Sequence, residues 1–250
     1  MTDPIPAATL ILFREGEGEG APALLMVERA RAMAFAGGAL VFPGGRIDPA
    51  DVALAALIAP AQPDAAARIA AIRETIEEAG VAVGLVPPPC ASAVAAIRTR
   101  LHGGAAIGPV LADAGLEVAL HALVPFARWR PAHAHARIFD THFFLARMPP
   151  EAAPATVDAT ENVRLAWMTA AQVLDEADAG RASVIFPTRR TLERLARFAD
   201  FDAAAADAQL HPQPTITPFV AGRGGVDHLC IPDGLGYPVT SEPLTSATRG

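Results

Sequence analysis

The chain has 250 residues, 52% of them hydrophobic, and a formal net charge of −7 at neutral pH. That length supports a sizeable core, and that hydrophobic content excludes an intrinsically disordered chain. The acidic balance excludes a general binder of nucleic acid or of anionic membranes. Every basic residue other than histidine is arginine, whose forked donors suit phosphate. Cys90 and Cys230 lie far apart without metal-ligand spacing. No basic segment precedes an apolar one at the start, and the longest apolar run, 52–61, is too short to span a bilayer. A cytoplasmic protein is expected.

Residues 7–13 and 23–28 read as strands joined through the Gly/Glu-rich loop 15–21. Arg29 and Arg31 leave the second strand, where they either hold phosphates or face water. Met33 and Phe35 follow, as core filling or as ligand contacts. An apolar run over 38–42 leads into a Gly-Gly turn at Gly44 and Gly45. Residues 50–63 are apolar at Val52, Leu54, Leu57 and Ile58, which argues for packing. Pro60 and Pro63 keep this segment separate from the helix that follows.

That helix ends in Arg73-Glu74-Thr75-Ile76-Glu77-Glu78-Ala79, and Gly80 supplies a left-handed stop. Glu74, Glu77 and Glu78 share one face, Ile69, Ile72 and Ile76 form the opposite arc, and Arg73 can pair with Glu77. A solvated acidic face is the ordinary reading of such a run. The Gly-Gly turn ahead of it favours a hard divalent cation bound by oxygen ligands instead.

Helices are expected over 91–101 and 110–114, and strands over 118–129 and 138–146. His133 and His135 lie in the loop between those strands; they are too few for zinc and suit a substrate-touching loop better. A strand over 162–167, preceded by Asp158 and Glu161, leads to helices over 169–178, capped by Thr169, and over 187–198. Short strands over 215–220 and 228–231 precede a loose tail after 238. Neither a repeat nor a linker divides the chain, so a single domain is expected over 1–250.

The sequence from Arg73 to Val81, with Gly45 ahead of it, resembles the signature of the Nudix hydrolases. That signature is glycine, five residues, glutamate, seven residues, then Arg-Glu-apolar-x-Glu-Glu-x-Gly-apolar. Gly45 and Arg73 stand 73 − 45 = 28 positions apart, so about fourteen residues are inserted. Counted back from Arg73, the place of the first glutamate falls on Ala65, beside Asp64. An interrupted box, together with AFAGGALVFPGG, RIFDTHFFLARMPP and PDGLGYP, resembles the branch that includes the peroxisomal coenzyme A diphosphatases.

The resemblance implies an α/β Nudix fold, a mixed sheet between helices, with an additional helical segment around 168–206. It implies Mg²⁺ or Mn²⁺ held by Glu74, Glu77, Glu78 and the Gly45 carbonyl, with Glu161 as a further acidic ligand. Arg73 would position the glutamates, and Arg29, Arg31 and Phe42 would contact the substrate. The expected partner is a small nucleoside diphosphate derivative, coenzyme A or acyl-coenzyme A first. ADP-ribose, NADH or a nucleotide sugar is the alternative within the class, and a non-catalytic ligand-binding or regulatory Nudix domain the alternative outside it. Neither nucleic acid nor membrane is expected as a partner, and a homodimer is allowed.

Overall fold

A computed structural model describes residues 3–16, 20–30, 36–131, 138–158 and 162–247. The chain opens with strands β1 (Ile5–Arg14), β2 (Ala23–Arg29), β3 (Leu40–Val41) and β4 (Gly44–Arg46). Helices α1 (Pro49–Ile58) and α2 (Ala65–Ala79) follow, then β5 (Leu85–Val86), α3 (Ala91–His102), α4 (Ile107–Asp113) and β6 (Glu117–Val118). After a single 3-10 turn at Leu120–Ala122 come β7 (Val124–Trp129), β8 (Phe139–Arg147) and β9 (Asn162–Thr169). The last part holds α5 (Ala170–Asp178), α6 (Phe186–Leu195), α7 (Phe201–Leu210), β10 (Thr215–Ile216), β11 (Phe219–Arg223), β12 (Val226–Cys230), β13 (Ser241–Pro243) and α8 (Leu244–Ala247).

Among the described residues the main sheet runs β10-β7-β8-β1-β2-β3, with β4 also paired to β1 and β9 to β2. It is mixed, because β1 lies parallel to β8 and antiparallel to β2 and β4. Side chains alternate across the pleat. Leu10, Leu12 and Leu25 join Ile69, Ile72 and Ile76 of α2 in one core, while Ile11, Phe13, Leu24 and Met26 join Val173, Phe186 and Leu192 of α5 and α6 in the other. The sheet is thus sandwiched between helical layers, as the fold class requires. Among the described residues no helix is long and apolar enough to cross a membrane.

Several local expectations are corrected. Gly44 and Gly45 are not a free turn but strand β4, paired to Thr9 and Ala8 of β1. A Cβ on Gly44 would lie 2.4 Å from the Ala8 carbonyl oxygen, so glycine permits this close strand. The segment read as one strand over 118–129 is broken by the 3-10 turn. The strand expected over 215–220 divides at Pro218, which lacks the N–H that a ladder needs; β10 joins the main sheet and β11 a separate three-stranded one. The helical segment extends past 206, through α7 to Leu210. The expected loose tail contains β13, whose Glu242 accepts from the buried Arg190 at 3.0 Å. The insertion forms a helix separate from α2, as Pro60 and Pro63 suggest, and its apolar residues pack only in part: Leu54 and Ala55 join the core. Val52, Leu57 and Ile58 are exposed, and the fully buried residue of α1 is Asp51.

Candidate active site

The site is built on the last two turns of α2. Gly80, at φ 66°, ends the helix with an N–H donated to the Ile76 carbonyl. The terminal carbonyls are then covered by α3. Arg98 donates from Nε to Glu77 O at 2.8 Å and from Nη2 to Glu78 O at 3.2 Å, and the His102 ring is 3.0 Å from Glu77 O. A cation at this end complements the helix dipole and satisfies orphaned acceptors.

Arg73 is the hub. Its Nη1 donates to Glu74 Oε1 and to Glu77 Oε2, each at 2.9 Å, and its Nη2 donates to the Arg46 carbonyl at 2.8 Å. The other edge of the guanidinium is taken by Asp51: Nε to Oδ1 at 3.1 Å and Nη2 to Oδ2 at 3.0 Å. Asp51 Oδ2 also accepts the Asp48 backbone N–H at 2.8 Å. Burial disfavours the charge on Arg73, but Asp51, Glu74 and Glu77 outweigh it and raise its pKa. The reading that set the first acidic position at Ala65 is therefore corrected. Counted forward from Gly45, five residues intervene before Asp51, and the insertion falls after that residue. Aspartate on α1 reaches the arginine, while Ala65 lies buried in the core. The forward count was the available signal, and counting backward across the insertion concealed it.

The three glutamates have different surroundings. The Glu74 carboxylate lies against Gly45, where a Cβ would approach within 2.4 Å of Oε1. Burial raises its pKa first of all; Arg73 opposes this, neighbouring Glu78 and Glu77 add to it, and the result is about 8. Glu77 is shifted upward by burial, again against Arg73. Glu78 turns away to accept from Gly44 N–H at 2.8 Å and from the Asn162 amide at 3.0 Å. Burial pushes it up to about 7, against those two hydrogen bonds. Asn162, fully buried at the start of β9, was read from sequence only as a strand residue. Nothing in its surrounding sequence marks it as the partner of Glu78.

A cleft of about 500 Å³ opens beside this cluster. Glu74, Glu77, Asp48, Gly45 and Arg46 line one part, and Phe42, Phe139, Phe143 and Trp129 give it an aromatic part. Arg29 lines it as well, whereas Glu78 does not. Arg31, Met33, Phe35, His133, His135 and Glu161 lie outside the described residues. Among the described residues no three acidic, histidine or cysteine side chains stand grouped to hold a metal as they are. Glu74 and Glu77 nonetheless fit a hard cation: each commits one oxygen to Arg73, and each lines the cleft with a carboxylate whose ionisation burial opposes.

No family model matches the chain, and no curated protein does. Solved structures do. The chain is similar to a Nudix hydrolase from Alicyclobacillus acidocaldarius, with a TM-score of 0.72 and 26% identity, over 82% of this chain and 97% of that one. More distant is the Nudix domain of Shewanella oneidensis NrtR, solved with ADP-ribose, at TM-score 0.45 and 15% identity over 79% and 88% of the two chains. A MutT protein from Methanosarcina mazei Go1 stands at TM-score 0.42 and 16% identity, over 79% and 96%. The chain has the Nudix fold, and its structural neighbours are Nudix hydrolases.

Proposed function

We propose that this protein is a divalent-metal-dependent hydrolase of a diphosphate linking a nucleoside to a second group, with coenzyme A or acyl-coenzyme A as its substrate. The observation that carries the hydrolase reading is the pair of cleft-lining carboxylates, Glu74 and Glu77, locked by Arg73 and Asp51 beside an aromatic wall. The choice of coenzyme A is supported by the interrupted box and the RIFDTHFF segment.

Glu74, Glu77 and the Gly45 carbonyl would hold Mg²⁺ or Mn²⁺, which would neutralise phosphate oxygens and lower the pKa of a bound water; Glu78, which the resemblance also assigns to the metal, gives both of its oxygens to Gly44 and Asn162 instead. The chain's own part is orientation. Arg73 fixes one oxygen of Glu74 and one of Glu77, and Asp51 fixes Arg73. Gly44 and Asn162 fix Glu78. Phe42, Phe139 and Phe143 line the cleft with apolar surface suited to a nucleobase. Coenzyme A should be hydrolysed with a higher kcat/KM than ADP-ribose, with Mg²⁺ and Mn²⁺ each supplied and the products identified by mass. A higher value for ADP-ribose would remove coenzyme A and leave the hydrolase. Absence of turnover for every nucleoside diphosphate derivative would remove the enzyme and leave a binding domain.

The crowded carboxylates also fix a pH dependence. Glu74 and Glu78 have folded-state pKa values raised to about 8 and about 7, from 4.5 in the unfolded chain. The folded state therefore holds more protons, so their contribution is complete below about pH 4.5 and is lost as pH rises through the folded values. Metal-free protein should melt at falling temperature between about pH 6 and pH 8.5. Mg²⁺, which binds the ionised form, should raise the melting temperature more at each step upward in pH. An increment from Mg²⁺ that is constant across this range would contradict metal binding at this carboxylate cluster.

A further inference from the structure

Residues 232–238, the PDGLGYP stretch, form the loop between β12 and β13. The Ile231 N–H donates to the Thr240 carbonyl at 2.9 Å and closes the loop at its base. Arginines of α6 hold it. Arg197 Nη1 donates to the Gly236 carbonyl at 3.1 Å, and the Arg194 guanidinium lies 5.3 Å from the centre of the Tyr237 ring. Gly236 sits at φ 84°, and a Cβ there would come within 2.9 Å of Arg194 Nε, so both its backbone and its neighbour require glycine. Arg194 is itself fixed, donating to Asp207 at 2.8 Å and lying 4.1 Å from the centre of the Phe126 ring.

The loop thereby sets Tyr237 edge-on against Trp129 of β7, with ring centres 5.6 Å apart and an interplanar angle of 84°. Trp129 Nε1 donates to the Tyr237 hydroxyl at 3.2 Å, across 108 positions of sequence. Trp129 lines the cleft, whereas Tyr237 does not. Tyr237 stands behind that wall. Trp129 is 1% exposed, and an indole N–H so buried needs an acceptor. Without the Tyr237 hydroxyl, the ring regains a partner by turning toward the water of the cleft, into space that a ligand would fill. A ligand must then push it back and leave the N–H unpaired, so the penalty appears in binding.

We infer that Tyr237 is a positioning residue, which holds Trp129 as a fixed wall of the cleft and so sets substrate affinity from outside it. This rests on the reading of the cleft as the substrate site, and adds to it a determinant carried by the loop between β12 and β13.

In a Trp167→Phe background Trp129 is the sole tryptophan, so its emission reports on the wall directly. Coenzyme A without metal, and AMP with Mg²⁺, should each alter that emission. Tyr237→Phe, which keeps the ring, should move the ligand-free emission to longer wavelength and weaken both probes by about five- to tenfold. In turnover, KM should rise by a similar factor while kcat stays within about twofold, because the wall serves ground state and transition state alike. Trp129→Phe has no N–H to satisfy, so adding Tyr237→Phe to it should change affinity, read by calorimetry, by less than about twofold. A hydroxyl serving only the fold would lower the melting temperature and leave emission and KM unmoved. Emission that neither probe alters, affinity in Tyr237→Phe within about twofold of wild type, or equal weakening with and without Trp129 would each overturn the inference. The hydrolase reading fails separately. If neither coenzyme A nor ADP-ribose is hydrolysed, that reading is lost, while the emission and calorimetric titrations still decide the role of Tyr237.

Discussion

Glu77→Gln is expected to lower metal-dependent kcat by about 10²–10³, the usual effect of removing one electrostatic contact that serves the transition state, or roughly 3–4 kcal/mol. Glutamine keeps the size of the side chain and can still accept from Arg73 Nη1, which reaches Glu77 Oε2 at 2.9 Å. What it lacks is the negative charge. The fold should barely respond, because Glu77 retains 20% side-chain exposure and its carboxylate is already disfavoured by burial. A stability change within about 1 kcal/mol is expected in the metal-free protein. Turnover and urea unfolding, measured on the same preparations, separate this from a surface role. Turnover within about threefold of wild type at saturating Mg²⁺ and substrate would place Glu77 outside the catalytic shell.

Asp51→Ala should show the opposite balance, with a large loss of stability. Asp51 is fully buried, accepts from Arg73 Nε and Nη2 and from the Asp48 N–H, and sits on α1 just ahead of the insertion. Removing it leaves a buried guanidinium short of one carboxylate, a change that typically destabilises by about 3–5 kcal/mol. Activity should fall with it, since Arg73 would be free to shift toward Glu74 and Glu77. Asp51→Asn keeps acceptor capacity and should be milder. Asp48 provides the control: its side chain is 56% exposed and lies 3.8 Å from Arg73, so Asp48→Asn should change stability by about 0.5 kcal/mol or less. Equal effects at the two aspartates would show that burial of the ion pair is not what holds α1 to α2.

The legible parts of this chain were those set by local rules. The strands β1 and β2, helix α3, and the Thr169 cap, whose hydroxyl accepts the Gln172 N–H at 3.1 Å, follow from periodicity and capping chemistry. The pairing of Arg73 with Glu77 follows from helical spacing alone. The illegible parts depend on what meets through space. Asn162 reaches Glu78 across 84 positions and Asp51 reaches Arg73 across 22, and neither approach leaves a periodic trace. Apolar content misled in the insertion for a related reason. Leu57 is 79% exposed, because α1 turns inward a carboxylate, Asp51, whose partner lies on another helix. The trailing residues were hidden too, since β13 exists by pairing with β12 and by the contact of Glu242 with Arg190.

The link between Asp51 and Arg73 does not depend on how long the chain between them is. Asp51 and Arg73 are joined by side chains, so the peptide running from one to the other acts as a tether. Closing a flexible tether costs free energy only with the logarithm of its length, and doubling it would cost about 0.6 kcal/mol. Gln62 and Asp64, in the turn that carries this tether from α1 to α2, are only partly buried, and Ala61 is exposed. A foreign segment, even a small folded module, spliced at that turn would leave the clamp on the guanidinium in place. The protein could thus be given a new appendage between Asp51 and Arg73.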